Sequence, residues 1–158
     1  MSLIENKFKI NATLEQAFDL SRSIDFHMFS QSDHKEVAIN GITSGLINLG
    51  EEVTWRAKHF GVSQLLTARI TMFDRPNHFR DTMVRGAFKW FEHDHYFQTS
   101  GDKILVIDRF EYESPYSIFG KIFDVIALKR HMQDFFWNRN MLLKEVLEDG
   151  RWKEFIKS

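Results

Sequence analysis

Cysteine is absent from the 158 residues, proline occurs twice, and the charges nearly cancel at 21 Lys+Arg against 22 Asp+Glu. Without a thiol there is no disulfide framework, no thiolate zinc site, no iron–sulfur cluster and no Cys nucleophile. The same absence fits a reducing compartment. The charge balance lacks the basic footprint of a nucleic-acid binder. No apolar run exceeds four residues, the length of Ile104 to Ile107, far short of the ~20 that a membrane span needs. Met1 to Ile10 carries Glu5, Lys7 and Lys9, which argues against a signal or transit peptide. The motifs GxGxxG, P-loop, HExxH and GxSxG are all missing, so nucleotide binding, metalloprotease and serine-hydrolase chemistry have no support. The expectation is a cytoplasmic protein with no membrane span, no nucleic-acid partner and no cofactor.

What is abundant is phenylalanine, with sixteen in the chain. Rigid apolar rings at that density either fill a core or line a cavity. The length suits a single domain that can bury a substantial core. No repeat, low-complexity stretch or Pro/Gly/Ser-rich linker divides it, so one domain is expected over residues 1–158.

Ile4, Phe8 and Ile10 alternate with Leu3, Glu5, Lys7 and Lys9, which predicts an opening strand. Thr13 with Gln16 three residues on forms a capping-box pattern, starting a short helix that Ser21 to Asp25 interrupt. A second brief helix is expected over Ile24 to Phe29. After the glycine-spaced stretch Asn40 to Gly50, strands are expected at Glu51 to Phe60, Val62 to Phe73, Asn77 to Arg85, Phe88 to Thr99 and Lys103 to Glu113, joined by short turns. Hairpin connections throughout imply an antiparallel meander. Ser114-Pro115 ends it, and Ser117 to Asp149 has helical periodicity, with Phe119, Ile122, Phe123, Ile126, Phe136, Leu143 and Leu147 recurring at three and four. The fold class is therefore α+β: a curved six- or seven-stranded antiparallel sheet wrapped around one long C-terminal helix, with two short helices after the first strand.

Particular segments add to this pattern. They are Gly50-Glu51-Glu52-Val53-Thr54-Trp55, His59-Phe60-Gly61, Gln64, Leu66 to Thr71, Asp74, Pro76, Phe79-Arg80-Asp81, Gly86, Phe88, His93, His95, Asp108 and Phe110-Glu111-Tyr112. Through them the whole chain resembles the START/Bet v 1-like (SRPBCC) superfamily of helix-grip proteins, in its polyketide cyclase/dehydrase-like, ligand-binding branch. The resemblance implies a helix-grip fold and a cavity for lipid-like, isoprenoid or aromatic polyketide molecules; it defines no reaction.

Period-2 alternation assigns the faces. Val53, Trp55, Ala57 and His59 share one side of their strand, and Val62, Gln64, Leu66, Ala68, Ile70 and Met72 share one side of the next. Phe79, Asp81 and Met83 fall together, as do Phe91, His93, His95 and Phe97, and Ile104, Val106, Asp108, Phe110 and Tyr112. Each inner face thus contains a polar interruption. A hairpin centred near Ala87 sets Asp81 opposite His93, and one centred between Gly101 and Asp102 sets His95 opposite Asp108. Such neighbours suit carboxylate–imidazole hydrogen bonds. The polar set either forms satisfied buried pairs that stabilise the sheet or the polar end of a ligand cavity. His93-x-His95 with His59 could also offer metal ligands, but carboxylate pairing of the two histidines argues against it, and no metal is assigned.

The preferred function is binding of a hydrophobic or amphipathic small molecule between sheet and long helix. Trp55, Leu66, Ile70, Phe79, Met83, Phe91, Phe110, Phe119, Phe123 and Phe136 would form the apolar wall. His59, Gln64, Asp81, His93, His95 and Asp108 would orient the ligand's polar end. One alternative is a cyclase, dehydratase or hydrolase using His–Asp pairs as general acid and base, which requires a histidine tip that reaches the cavity. Another is a protein-interaction module presenting Trp137 or Trp152. Phe110 to Glu113 reads as a sheet edge, and Lys129-Arg130-His131 as a solvated helix face. Of Phe135-Phe136-Trp137, one or two rings should be exposed. Trp152 and Phe155 either fold back or pack on a second subunit, which leaves a homodimer open.

Overall fold

A computed structural model describes residues 1–114 and 121–156, with residues 121–125 described by their helical backbone alone. Strand β1 spans Ser2–Ile10, followed by helices α1 (Leu14–Ser21) and α2 (Ile24–Ser30) and a single 3-10 turn at Ser32–His34. Strands β2 (Val37–Gly41), β3 (Glu52–His59), β4 (Val62–Asp74), β5 (His78–Arg85), β6 (Trp90–Ser100) and β7 (Lys103–Glu113) come next. Helix α3 (Lys121–Asp149) and a 3-10 turn at Arg151–Glu154 close the chain. The strands form one antiparallel sheet in the order β1-β7-β6-β5-β4-β3-β2.

Local chemistry explains most of these elements. Thr13 Oγ1 accepts from the Gln16 amide at 3.1 Å, and Gln16 Oε1 accepts from the Thr13 amide at 3.2 Å, completing the expected capping box. Ser23 caps α2 with its side chain alone, Oγ accepting from the Phe26 amide at 3.1 Å. β3 and β4 are joined by the two-residue loop Phe60-Gly61, with φ of 51° and 76°, the signature of a type I′ hairpin. β2 was not foreseen: its five residues pair with β3 around a register shift at Ala38/Asn40, too short and irregular for clean alternation. Gly41 closes it at φ 74°, where a Cβ would sit 2.2 Å from the Glu52 carbonyl oxygen.

Four sequence expectations need correction. A register shift between Ile70 and Met72 flips the alternation of β4, so Met72 is 45% exposed while Phe73 turns in to meet Phe18, ring centroids 5.2 Å apart. Val62, assigned inward, is exposed at the hairpin. Ile126 is 64% exposed; the stripe that α3 buries runs through Met132, Phe135, Phe136, Arg139, Asn140, Leu143, Val146 and Leu147 instead. Phe110 to Glu113 is no sheet edge, because β7 pairs with β1 on one side and β6 on the other. Phe119 lies outside the described residues, as do the side chains of Ile122 and Phe123.

The aromatic residues form two groups. Under α1, Phe18 meets Phe79 and Phe97 edge-on at 5.3 and 5.6 Å. Beneath the first half of α3, Phe110 packs on Phe136 at 4.7 Å and on Phe91 at 5.0 Å, geometries that add ring–ring attraction to area burial. Trp137 is the exposed member of its aromatic triplet. Trp152 and Phe155 fold back on the same chain, Phe155 meeting Phe26 at 5.6 Å. No described helix is long and apolar enough to cross a membrane.

Candidate functional site

A cavity of about 200 Å³ lies between the sheet and α3. Trp55, Leu66, Ala68, Phe88, Phe91, Phe110, Met132 and Phe136 are among its apolar walls, and Asp81, His93, Gln64, His27, Glu36, His59 and His131 are its polar lining. Phe60 and Leu65 also line it while being 64% and 56% exposed, so the β3–β4 hairpin forms its mouth. A smaller cavity of about 80 Å³ adjoins it; Trp55, Ala68, Asp81, His93 and Phe136 line both.

The expected register is present: Asp81 lies opposite His93, and His95 opposite Asp108. The shortest bond, however, runs diagonally. His93 Nε2 lies 2.6 Å from Asp108 Oδ1, and His95 Nε2 lies 3.2 Å from Asp81 Oδ1. His95 Nδ1 stands 3.1 Å from Asp108 Oδ1, whereas His93 Nδ1 is 3.7 Å from Asp81, beyond hydrogen-bonding range. Strand twist and side-chain lean favour the diagonal partner.

Helix α3 completes this network with residues that sequence reasoning missed. Asn140 Nδ2 donates to Asp108 Oδ2 at 2.7 Å, and its Oδ1 accepts from Arg139 Nη1 at 3.2 Å. Arg139 Nη2 donates to the Ser21 carbonyl at 3.0 Å, locking α1 to α3. Both lie at three- and four-residue spacing from Phe136 and Leu143, so they were legible as polar gaps in an apolar stripe.

Burial disfavours ionisation of Asp108, yet His93 and His95 overcome it and hold its carboxyl well below the usual range. Asp81 is also lowered, by His93 and His95 against burial. Burial opposes the charge of His95 too, but bonds to Asp108 and Asp81 prevail and raise its pKa. Burial and the neighbouring His95 push His93 down. These opposite shifts favour His95 over His93 as the site of a proton shared in the cluster, beside the Arg139 cation and the two carboxylates. A neutral His93 that donates from Nε2 to Asp108 has an acceptor lone pair on Nδ1. Asp81, whose side chain is 21% exposed, faces both cavities. The floor therefore offers acceptors.

The other predicted residues separate in space. Trp55, His59, Gln64, Leu66, Asp81, Phe91, His93, Phe110 and Phe136 line the larger cavity; Ile70, Phe79 and His95 line only the smaller one. Met83 packs at the edge of the aromatic group under α3, and Asp108 is sealed behind the histidines. His59 does not join His93 and His95. It bonds His131, Nδ1 to Nε2 at 2.9 Å, so His131 belongs to the cavity and not to a solvated face. His34 and Glu36 come from a segment with no periodic signal, and His27 lies on the brief second helix.

No protein-family model matches the sequence, and no curated protein does. Solved structures do match. A protein from Thermus thermophilus superposes with a TM-score of 0.76 at 17% identity, over 92% of this chain and 97% of that one. A START superfamily protein from Mycobacterium smegmatis gives 0.67 at 10% identity over 93% and 97%. Major latex-like protein 151 from Panax ginseng gives 0.64 at 14% over 92% and 97%. The architecture is the helix-grip fold of the START/Bet v 1-like superfamily.

Proposed function

We propose that the protein binds a compact amphipathic molecule, one or two fused rings in size, with a hydroxyl or amine directed at Asp81 and His93. The cavity itself is the observation that supports this reading. At about 200 Å³ it exceeds the ~150 Å³ that accepts benzene in an apolar core and lies below the ~300 Å³ of common drug-sized sites. Long lipids fit such a volume poorly; small aromatic molecules fit it well. Asp81 is ionised and the free nitrogen of His93 is an acceptor, so a ligand donor is favoured over a carbonyl.

The test compares 2-naphthol with 2-methoxynaphthalene, which lacks the donor, by calorimetry. The wild type should bind the naphthol at least tenfold more tightly. Asp81→Asn should remove that preference, and Ala68→Phe, which fills the space between the two cavities, should abolish binding of both. Equal binding of both compounds by wild type, or undiminished binding by Ala68→Phe, would overturn the reading.

A second reading is favoured by one observation: His93 lines the cavity, and burial and His95 lower its pKa, in the direction a general base requires. Exchange of the C1 protons of 2-tetralone in D2O, followed by NMR, tests it. No acceleration over buffer, or equal acceleration by His93→Gln, sinks this alternative.

A further inference from the structure

Three histidines from unconnected elements meet at the cavity mouth. His34 ends the 3-10 turn after α2, His59 ends β3, and His131 lies on α3. One ring nitrogen of each lies within 4.8 Å of the others. The ring centroids form a nearly equilateral triangle, with His34–His59 at 5.1 Å, His59–His131 at 5.1 Å and His34–His131 at 5.4 Å. Imidazoles on a tetrahedral zinc ion, with Zn–N distances of about 2.05 Å, place their centroids about 5.2 Å apart. The 2.9 Å between His59 Nδ1 and His131 Nε2 is close to the ~3.3 Å between two nitrogens on such an ion. All three side chains are half-buried, so an ion can reach them.

A second observation points the same way. Glu36, two residues beyond His34, lines the cavity at 7% exposure. Its Oε1 bonds His27 Nε2 at 2.8 Å, but its buried Oε2 has no hydrogen-bond partner among the described residues. An orphaned carboxylate oxygen is costly, and a cation or an ion-bound water nearby would satisfy it. We propose that His34, His59 and His131 bind a divalent transition-metal ion of the zinc type, with one coordination position open to the cavity and Glu36 as the carboxylate beside it. Imidazole donors suit zinc, copper and nickel, and three protein ligands with an open fourth position is the arrangement of reactive rather than structural zinc. The deeper cluster of Asp81, His93 and His95 is different: both of its histidines are held by the buried Asp108 carboxylate, which Asn140 in turn fixes.

The test uses untagged, chelator-treated protein titrated with Co(II), whose visible bands are intense only in four-coordinate sites, and with Zn(II) by calorimetry. One equivalent should bind with a four-coordinate spectrum. His34→Gln, His59→Gln and His131→Gln should each lower zinc affinity at least about 100-fold, and Glu36→Gln about tenfold, the range for groups that orient a bound ligand. His78→Gln, outside both cavities, should bind as wild type does. No saturable one-to-one binding at micromolar zinc by wild type overturns the site, as does zinc affinity left unchanged by His131→Gln. The wild-type spectrum decides the matter should a variant not fold. Naphthol affinity, measured on metal-free protein, is a separate readout, so failure of either proposal leaves the other identifiable.

Discussion

Asn140 Nδ2, on the long helix, donates to Asp108 Oδ2, in the middle of the sheet, over 2.7 Å, and both residues are almost fully buried. This bond ties the helix to the sheet beside the cavity and fixes the carboxylate that serves both His93 and His95. Asn140→Ala leaves that oxygen and an Arg139 N–H without their partner, and should cost about 1–3 kcal/mol in urea unfolding. Asn140→Asp should cost more, and the difference should shrink on acidification, because it sets two carboxylates against each other.

Asp108 bonds both His93 and His95, whereas Asp81 bonds His95 alone and is the more exposed of the two carboxylates. Asp108→Asn removes the buried carboxylate that holds both His93 and His95, and about 3–5 kcal/mol of stability should be lost. Asp81→Asn, at the cavity wall, should cost under about 2 kcal/mol and act mainly on ligand preference. Equal losses in denaturant titrations would contradict this division between structural and ligand-facing carboxylates.

Stability should fall as pH drops from 7.5 to 5.5 in the presence of chelator. Burial lowers the pKa of His59, His93 and His131, so each binds fewer protons folded than unfolded. The unfolded chain takes them up near pH 6.5, which destabilises the fold. His95, raised by its two carboxylates against burial, acts oppositely: its contribution is present below about pH 6.5 and lost as pH rises through its folded value. Three lowered groups oppose one raised group. Urea midpoints should therefore be lower at pH 5.5; a higher midpoint there would show that His95 dominates.

Phe60 holds φ of 51°, a conformation costly for a bulky residue, yet its ring is mostly exposed and lies over His131 with centroids 4.5 Å apart. Phe60→Asn restores the residue pair that a type I′ turn prefers. The melting temperature should rise by about 2–4 °C, the shift expected for ~1 kcal/mol in a chain of this size. Naphthol release should become faster in stopped-flow measurements, since the ring that partly covers the mouth is gone.

Local periodicity and turn chemistry made much of the protein legible from its sequence alone. The Thr13 capping box, the tight turn at Gly61, the alternation along β6 and β7 and the pairings Asp81–His93 and His95–Asp108 all depend on residues near one another in the chain or on a hydrogen-bonded ladder of constant step. What lay beyond that reach is of a different kind. The shift at Ile70/Met72 exchanged Met72 for Phe73, because a bulge reverses the phase of everything after it. His59 left the pair His93-x-His95 and joined His34 and His131, since partners across elements depend on sheet curvature and on where α3 crosses. Arg139 and Asn140 acquired their meaning only when the helix was laid against Asp108. Whether the phenylalanines meet or leave a space was likewise decided by the tertiary structure: they meet in two groups, and a cavity remains between the sheet and α3 because the packing of helix on sheet, not the local pattern, sets the space between them.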